Sequence, residues 1–225
     1  QSKPLIGMTS LGKSALKYMV YLKPELEARG FEVAVFHATG MGGRAFESLA
    51  GQGAFAAVFD FCTQELGNHT HGSDVTAGAD RLTNAGRAGT PQIVSTGCYD
   101  LVDLAGWRGI PEKWTDLPSH AHNRLITSVV LDAEGVRVVA RAHGRALAEA
   151  TGETVLLLPL GGCGEWDRPG ADLHNPEGLD AFFDEMRGCC PDKVRLEEVP
   201  AHINDEAFAQ RALEIFDDWR ARGLV

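Results

Sequence analysis

Short apolar runs alternate along the chain with longer segments of helical period, the pattern of a parallel sheet covered by helices on both faces. Strands are predicted over 4–9, 32–37, 56–61, 92–95, 154–159 and 193–199, and helices over 13–28, 44–52, 131–151, 175–187 and 205–222. In the first helix Leu16, Met19, Val20, Leu22 and Leu26 recur at helical spacing, and Gly30 stands where a stop is expected. Pro176 marks the first turn of the helix over 175–187. The stretch 67–84 is rich in Gly, Asn, His, Ser, Thr and Asp and reads as a long loop or lid, with room for a short helix over 79–86. After 95 the pattern is irregular around Trp107, Pro111, Trp114 and Pro118. There is no internal repeat, low-complexity tract or clear linker. One doubly wound, mostly parallel, Rossmann-like α/β domain over residues 1–225 is the expectation.

Composition narrows the function classes. The chain has 225 residues, 44% hydrophobic and 23% charged, enough to bury a substantial core. Its formal net charge is −10 and no cluster of Lys and Arg breaks that sign, which argues against nucleic acid or an anionic membrane as the main partner. An anionic small molecule remains compatible, because a few backbone amides and one Arg can hold it locally. The five cysteines are odd in number and lack metal-knuckle spacing, and no apolar run reaches 18 residues. A soluble protein of a reducing compartment, cytoplasmic, is expected. The first residue is Gln rather than Met, so a processed chain or part of a longer one is also expected.

In open parallel sheets ligands bind beyond the carboxyl ends of the strands. The residues placed there are Thr9 and Ser10; His37 and Thr39; Asp60, Thr63 and Glu65; Ser95 and Thr96; Gly161 and Gly162; and His202, Asn204 and Asp205. The turn Gly40-Met41-Gly42-Gly43-Arg44 precedes a helix, so its amides and the helix dipole suit an anion, with Arg44 offering a forked donor. The alternative is a tight turn that merely needs positive φ.

Other motifs carry competing readings. Gly7 to Ser14 matches the Walker A pattern, with Asp60 ending a strand as Walker B would. The apolar lead-in Pro4-Leu5-Ile6 is short and the pattern permissive, so the alternative is an ordinary strand-to-helix turn with Lys13 exposed in the first helical turn. His69 with His71, and His120 with His122, are His-x-His pairs that could present two imidazoles on one face of an extended segment to zinc or iron. Asp60, Glu65, His174, His202 and Asp205 would supply further ligands; solvated loop histidines are the alternative. His202 suits a general acid/base or ligand-orienting role, with Asn204 or Asp205 as the natural N-cap of the last helix. Ser95-Thr96-Gly97-Cys98 lacks a nucleophile elbow, and His143 reads as a solvated helix-face residue.

Four ordered segments together carry a resemblance. They are Gly7-Met8-Thr9-x-x-Gly12; Val35-Phe36-His37-Ala38-Thr39-Gly40-x-Gly42-Gly43-Arg44-Ala45; Ala79-x-Arg81-Leu82-x-x-Ala85-Gly86-Arg87-Ala88-Gly89-x-Pro91-Gln92; and Ala201-His202-Ile203-Asn204-Asp205. They resemble the C-terminal half of the UPF0261 family, the Tm-1-like ATP-binding proteins. The resemblance implies a second, N-terminal lobe absent from this chain, a cleft between lobes, ATP with Mg as candidate cofactors, and self-association as a homo-oligomer. Carried over by residue, it implies roles for Thr9, His37, Thr39, Gly40, Gly42, Gly43, Arg44, Glu65, Asn123, His202, Asn204 and Asp205. Lys13-Ser14 and the His-rich 68–72 loop depart from the family pattern, which weakens the P-loop reading and leaves any metal outside the family resemblance.

The leading expectation is a lobe that binds a nucleotide or another phosphorylated or carboxylated metabolite. Thr9, Thr39, Gly40, Gly42, Gly43, Arg44, Asn123, Asn204 and Asp205 would bind it, and His202, Glu65, Asp60 and His37 are the candidate catalytic groups. The alternatives are a metal-dependent hydrolase or lyase and a non-enzymatic dimerisation module.

Overall fold

The computed structural model describes residues 3–225. From β1 (Leu5–Ser10) the chain passes through α1 (Lys17–Ala28) to β2 (Glu32–His37), and α2 (Met41–Gly51) returns it to β3 (Ala57–Cys62). Two short helices, α3 (Gln64–Thr70) and α4 (Asn84–Arg87), lead to β4 (Gln92–Gly97). An excursion of three strands follows, β5 (Leu101–Ala105), β6 (Ser119–Ala121) and β7 (Ile126–Val130). Then come α5 (Ala133–Leu147), β8 (Thr154–Pro159), α6 (Pro176–Cys189), β9 (Arg195–Val199) and α7 (Glu206–Ala221).

Six strands form one sheet in the order β2-β1-β3-β4-β8-β9, with every pairing parallel. Alternation along each strand decides which helices it meets. Phe59 and Phe61 of β3, with Ile6 and Met8 of β1, pack against Tyr18 and Leu22 of α1 and Phe208, Phe216 and Trp219 of α7. On the opposite face Val58 meets Phe46 and Ala50 of α2, while Val94, Leu156 and Leu158 meet Val139 of α5 and Phe182 and Met186 of α6. Each fully buried large side chain of this kind contributes about 1.5–3 kcal/mol through removal from water. The expected doubly wound α/β architecture is thus the observed one.

Three differences from the sequence expectation have physical causes. The irregular region after 95 holds an antiparallel sheet, β5-β7-β6, whose strands are too short and, in β6, too exposed to show alternation. Cys98 launches it by adopting a left-handed conformation, φ 56°, directly after Gly97, where a Cβ would lie 2.5 Å from the Phe61 carbonyl oxygen. The stretch 67–84 is not a free lid. Asn68 binds the Val75 carbonyl at 2.8 Å and accepts the Asp103 amide at 2.9 Å, Ser73 Oγ donates to the Asp103 carbonyl, and Arg81 and Leu82 are buried. Finally, α1 begins at Lys17 rather than near Lys13, and α2 at Met41 rather than Arg44.

Candidate functional site

Strand β1 is flanked by β2 and β3, and the connections leaving β1 and β3 run to opposite faces, so they diverge between the carboxyl ends of these two strands. Such a switch point ordinarily leaves a crevice for a ligand. Here the protein fills it. Arg81, fully buried, reaches Asp60 with both terminal nitrogens at 2.5 and 2.7 Å, Glu65 through Nε at 2.9 Å, Glu47 at 3.1 Å and the Cys62 carbonyl at 2.9 Å. Burial pulls the guanidinium's pKa down, but Asp60, Glu65 and Glu47 outweigh it and hold the group above its ordinary value. Burial pushes the Glu47 carboxyl up. Glu47 also ties the loop down, accepting the Leu82 amide, where the chain takes φ 75°, and the Asn84 amide at 3.0 Å.

This network revises the roles expected for several residues. Asp60 and Glu65, predicted as acid/base groups, are sealed at 1% and 0% exposure. Thr9 Oγ1 donates to Asp60 at 2.7 Å and accepts the Cys62 amide at 3.0 Å, so it is spent on the scaffold. Glu65 Oε1 accepts the Gly40 amide and, at 3.2 Å, the Gly43 amide. The anion predicted at the start of α2 is therefore a side chain of the protein itself. Gly43 is required for it: a Cβ there would lie 1.9 Å from Glu65 Oε2, and one on Gly42 would lie 1.8 Å from the His37 carbonyl oxygen.

The P-loop reading fails on geometry. Gly7 lies within β1, where a Cβ would meet Phe55 at 2.9 Å, and Lys13-Ser14 lie in the turn before α1 rather than in a phosphate-wrapping loop. The α1 amides of Leu16 and Lys17 are taken by Asn204 Oδ1 at 3.1 and 3.0 Å. Asn204 Nδ2 meanwhile donates to the Ser14 carbonyl and Glu165, so Asn204 caps α1 instead of α7. Asp205 accepts the His202 amide at 3.0 Å and an Arg168 N–H at 3.2 Å. His202 is equally committed. Its Nδ1 accepts the Asn204 amide at 3.1 Å, which places the ring proton on Nε2, donated to the Gly164 carbonyl at 2.8 Å. Burial lowers its pKa, so the ring is a neutral strut with no free lone pair.

The His-x-His pairs do not converge. His69 is exposed at the end of α3, His71 Nε2 faces the Gly135 carbonyl at 3.1 Å, and His120 of exposed β6 and His122 just beyond it lie against Trp166. Among the described residues one trio of ligand-type side chains does converge, Asp100, Cys163 and Asp167. His143, expected on a solvated face, is fully buried: Nδ1 meets the Val139 carbonyl at 2.9 Å and Nε2 meets Thr63 Oγ1 at 2.7 Å. Asn123 spends its oxygen on the Leu125 and Ile126 amides, shaping the turn between β6 and β7.

What remains open lies just outside the switch point. Thr39, Gly40, Met41 and Arg44 form one wall of a groove of about 370 Å3, faced by Asp74, Val75 and Thr76 and by Ala105, Trp107, Leu125 and Ile126 of the three-stranded excursion. Met41, Trp107 and Leu125 are 86%, 72% and 63% exposed. Arg44 forms no ion pair among the described residues, whereas Asp74 is neutralised by Arg108 at 3.0 Å. His37 sits nearby on the exposed end of β2, accepting the Gly12 amide at 3.4 Å. Trp107, Leu125 and Arg81 were not among the residues singled out as functional from sequence; only their long-range placement reveals them. No helix of the described residues is long and apolar enough to cross a membrane.

Fold and site thus define an open, doubly wound α/β domain whose switch point is closed by its own ion pairs. The model of the uncharacterised protein family UPF0261, C-terminal domain, matches residues 3–220, and the chain belongs to that family. A UPF0261 protein of Brucella melitensis is 56% identical over 99% of this chain and 53% of its own length. One from Clostridium tetani is 35% identical over 92% of the chain and 51% of its own length. The ToMV resistance protein Tm-1(GCR237) of Solanum lycopersicum is 28% identical over 94% of the chain and 28% of its own length. The chain spans about half the length of the bacterial relatives it matches.

Two outcomes are expected. Arg81→Met strands buried carboxylates without their cation and should lower the unfolding free energy by about 3–5 kcal/mol, read from urea denaturation at neutral pH. A loss under about 0.5 kcal/mol would show that the network does not hold the fold. His143 is pushed down by burial from 6.5 to about 4. Its unfolded form binds the extra proton, so its contribution is complete above pH 6.5 and is lost as pH falls towards 4, by up to about 3 kcal/mol. Asp100, raised by burial to about 7, acts in the opposite sense. The informative measurement is therefore the difference between wild type and His143→Gln, which keeps Asp100 in common and should shrink on acidification.

Proposed function

We propose that this domain binds a nucleotide, or another small molecule bearing phosphate or carboxylate, in the groove between the start of α2 and the three-stranded excursion. Arg44 holds the anion as a forked donor. Trp107 and Leu125 cover the flat or apolar part of the ligand, and Thr39 supplies a hydroxyl at the junction. The observation that carries this reading is the pairing of an arginine without an acidic partner, in a protein of net charge −10, with exposed aromatic and aliphatic side chains across one groove. A concave site of mixed character is the usual form of a small-molecule pocket. ATP with Mg is the first ligand to try.

Thermal unfolding of this chain with and without magnesium-ATP, inorganic phosphate or a dicarboxylate tests the reading. At a ligand concentration near 100 times Kd, linkage supplies about 2.7 kcal/mol, a rise in Tm of about 5–10 °C for this size. Arg44→Ala should abolish the rise and Trp107→Ala should reduce it. The reading is overturned by a rise that Arg44→Ala leaves unchanged, or by none with any of these anions.

A further inference from the structure

A second cluster of buried acids lies away from the groove, where the loop after β8 meets the root of the three-stranded excursion. Cys163 Sγ is 3.2 Å from Asp100 Oδ1 and 3.6 Å from Asp167 Oδ2, and one ligand atom from each of the three residues lies within 4.8 Å of the others. All are sealed, Asp100 at 3% exposure, Cys163 at 0% and Asp167 at 1%. The contrast with the switch point is informative. There, three buried carboxylates surround a guanidinium. Here, among the described residues, neither aspartate pairs with Lys or Arg, and the sole basic neighbour is His174, with Nδ1 3.2 Å from Asp167 Oδ1.

One carboxylate oxygen of the cluster is unpartnered. Asp100 Oδ2 is buried with no hydrogen-bond partner, and so is the hydroxyl of the adjacent Tyr99. A buried, partnerless carboxylate oxygen is costly, and native proteins rarely keep one without an ion, water or function to explain it.

We propose that Asp100, Cys163 and Asp167 bind a divalent transition-metal ion of the zinc class. One thiolate with two carboxylates suits Zn2+, Co2+ or Fe2+ better than Mg2+ or Ca2+, which take oxygen ligands throughout. Ligand distances of about 2.0–2.3 Å let a single ion reach all three residues. The surroundings already orient the set. Asp167 Oδ1 is occupied by His174 and by the Asn175 amide at 3.3 Å, which turns Oδ2 towards Cys163, as an outer-shell partner does in metal sites. Binding releases the Cys163 proton, and the proton that Asp100 carries when neutral, to solvent, and the ion joins the root of β5 to the β8–α6 loop. The ion is independent of any anion held at Arg44.

Cobalt titration of the purified chain, after chelator treatment and dialysis, tests the site. One Co2+ per chain is expected, with near-ultraviolet thiolate-to-cobalt charge-transfer absorption that Zn2+ abolishes. Cys163→Ser should lose that absorption, and Cys190→Ser, which alters a thiol outside the trio, should keep it. His174→Gln should weaken Co2+ binding about 10–100-fold. Wild type that takes up no Co2+, or absorption that survives in folded Cys163→Ser, overturns the proposal. Should Cys163→Ser fail to fold, Asp100→Asn, which preserves volume, decides by the same criterion: unchanged Co2+ affinity overturns it.

Discussion

The fold is organised around the buried guanidinium of Arg81. Arg81 enters from a loop, passes beneath the start of α2 and meets carboxylates contributed by α2, β3 and α3. Each of those acids has a second duty: Asp60 anchors Thr9 of β1, Glu65 caps the α2 amides and Glu47 fixes the turn leading to α4. A buried ion pair contributes little net energy against a well-packed apolar alternative, because desolvation offsets attraction. What it supplies here is position. The loop, two helices and two strands adopt one mutual arrangement because any other leaves a charge without a partner in the interior.

That constraint moves the functional surface. In an unfilled doubly wound sheet the helix N-terminus at the switch point is the natural seat of a phosphate. With Glu65 seated there, a second anion at the Gly40 and Gly43 amides would meet a carboxylate at close range. The side chain of Arg44, one turn into α2, is instead exposed and directed to the groove with Trp107 and Leu125. The three-stranded excursion forms the opposing wall, so an insertion between β4 and α5 converts a closed switch point into an open neighbouring groove.

The sheet and the three later long helices were legible because their apolar residues repeat at periods of two or 3.6. β3 and β8 are buried along their full length and read as apolar runs, broken in β3 only by Asp60. The excursion was not legible, since β6 is three exposed residues and β5 follows β4 with no polar break other than the turn at Cys98. The residues expected beyond the strand ends lie at or near them, with Ser95 and Thr96 drawn inside β4, but their partners were not foreseen. Nothing local to Asp60 or Glu65 tells that Arg81 will neutralise them, and nothing local to His143 tells that Thr63 will lie 2.7 Å away. Arg81 stood inside one of the family-like segments, yet its role depends on separations of 16 to 34 residues from the acids it binds.

Position at the mouth of the sheet therefore does not distinguish a functional residue from a structural one; unspent bonding capacity does. His202 and Asn204 stand where a catalytic dyad would, but His202 has both ring nitrogens engaged and Asn204 uses its oxygen and its amide nitrogen. Groups satisfied in this way hold geometry, and recruiting them to a reaction would first require breaking bonds that order α1 and the β9–α7 turn. Among the described residues, Arg44 in the groove and Asp100 beside Cys163 are the opposite case, one without a counter-ion and the other with a buried oxygen that meets no partner. Leaving a charge unpaired at the surface costs little, whereas leaving a carboxylate oxygen unpaired in the interior costs on the order of 1–3 kcal/mol or more. The first residue is free to wait for a diffusing ligand. The second calls for a partner that stays bound, so the anion proposed at the groove and the metal ion proposed at the core answer different demands made by one fold.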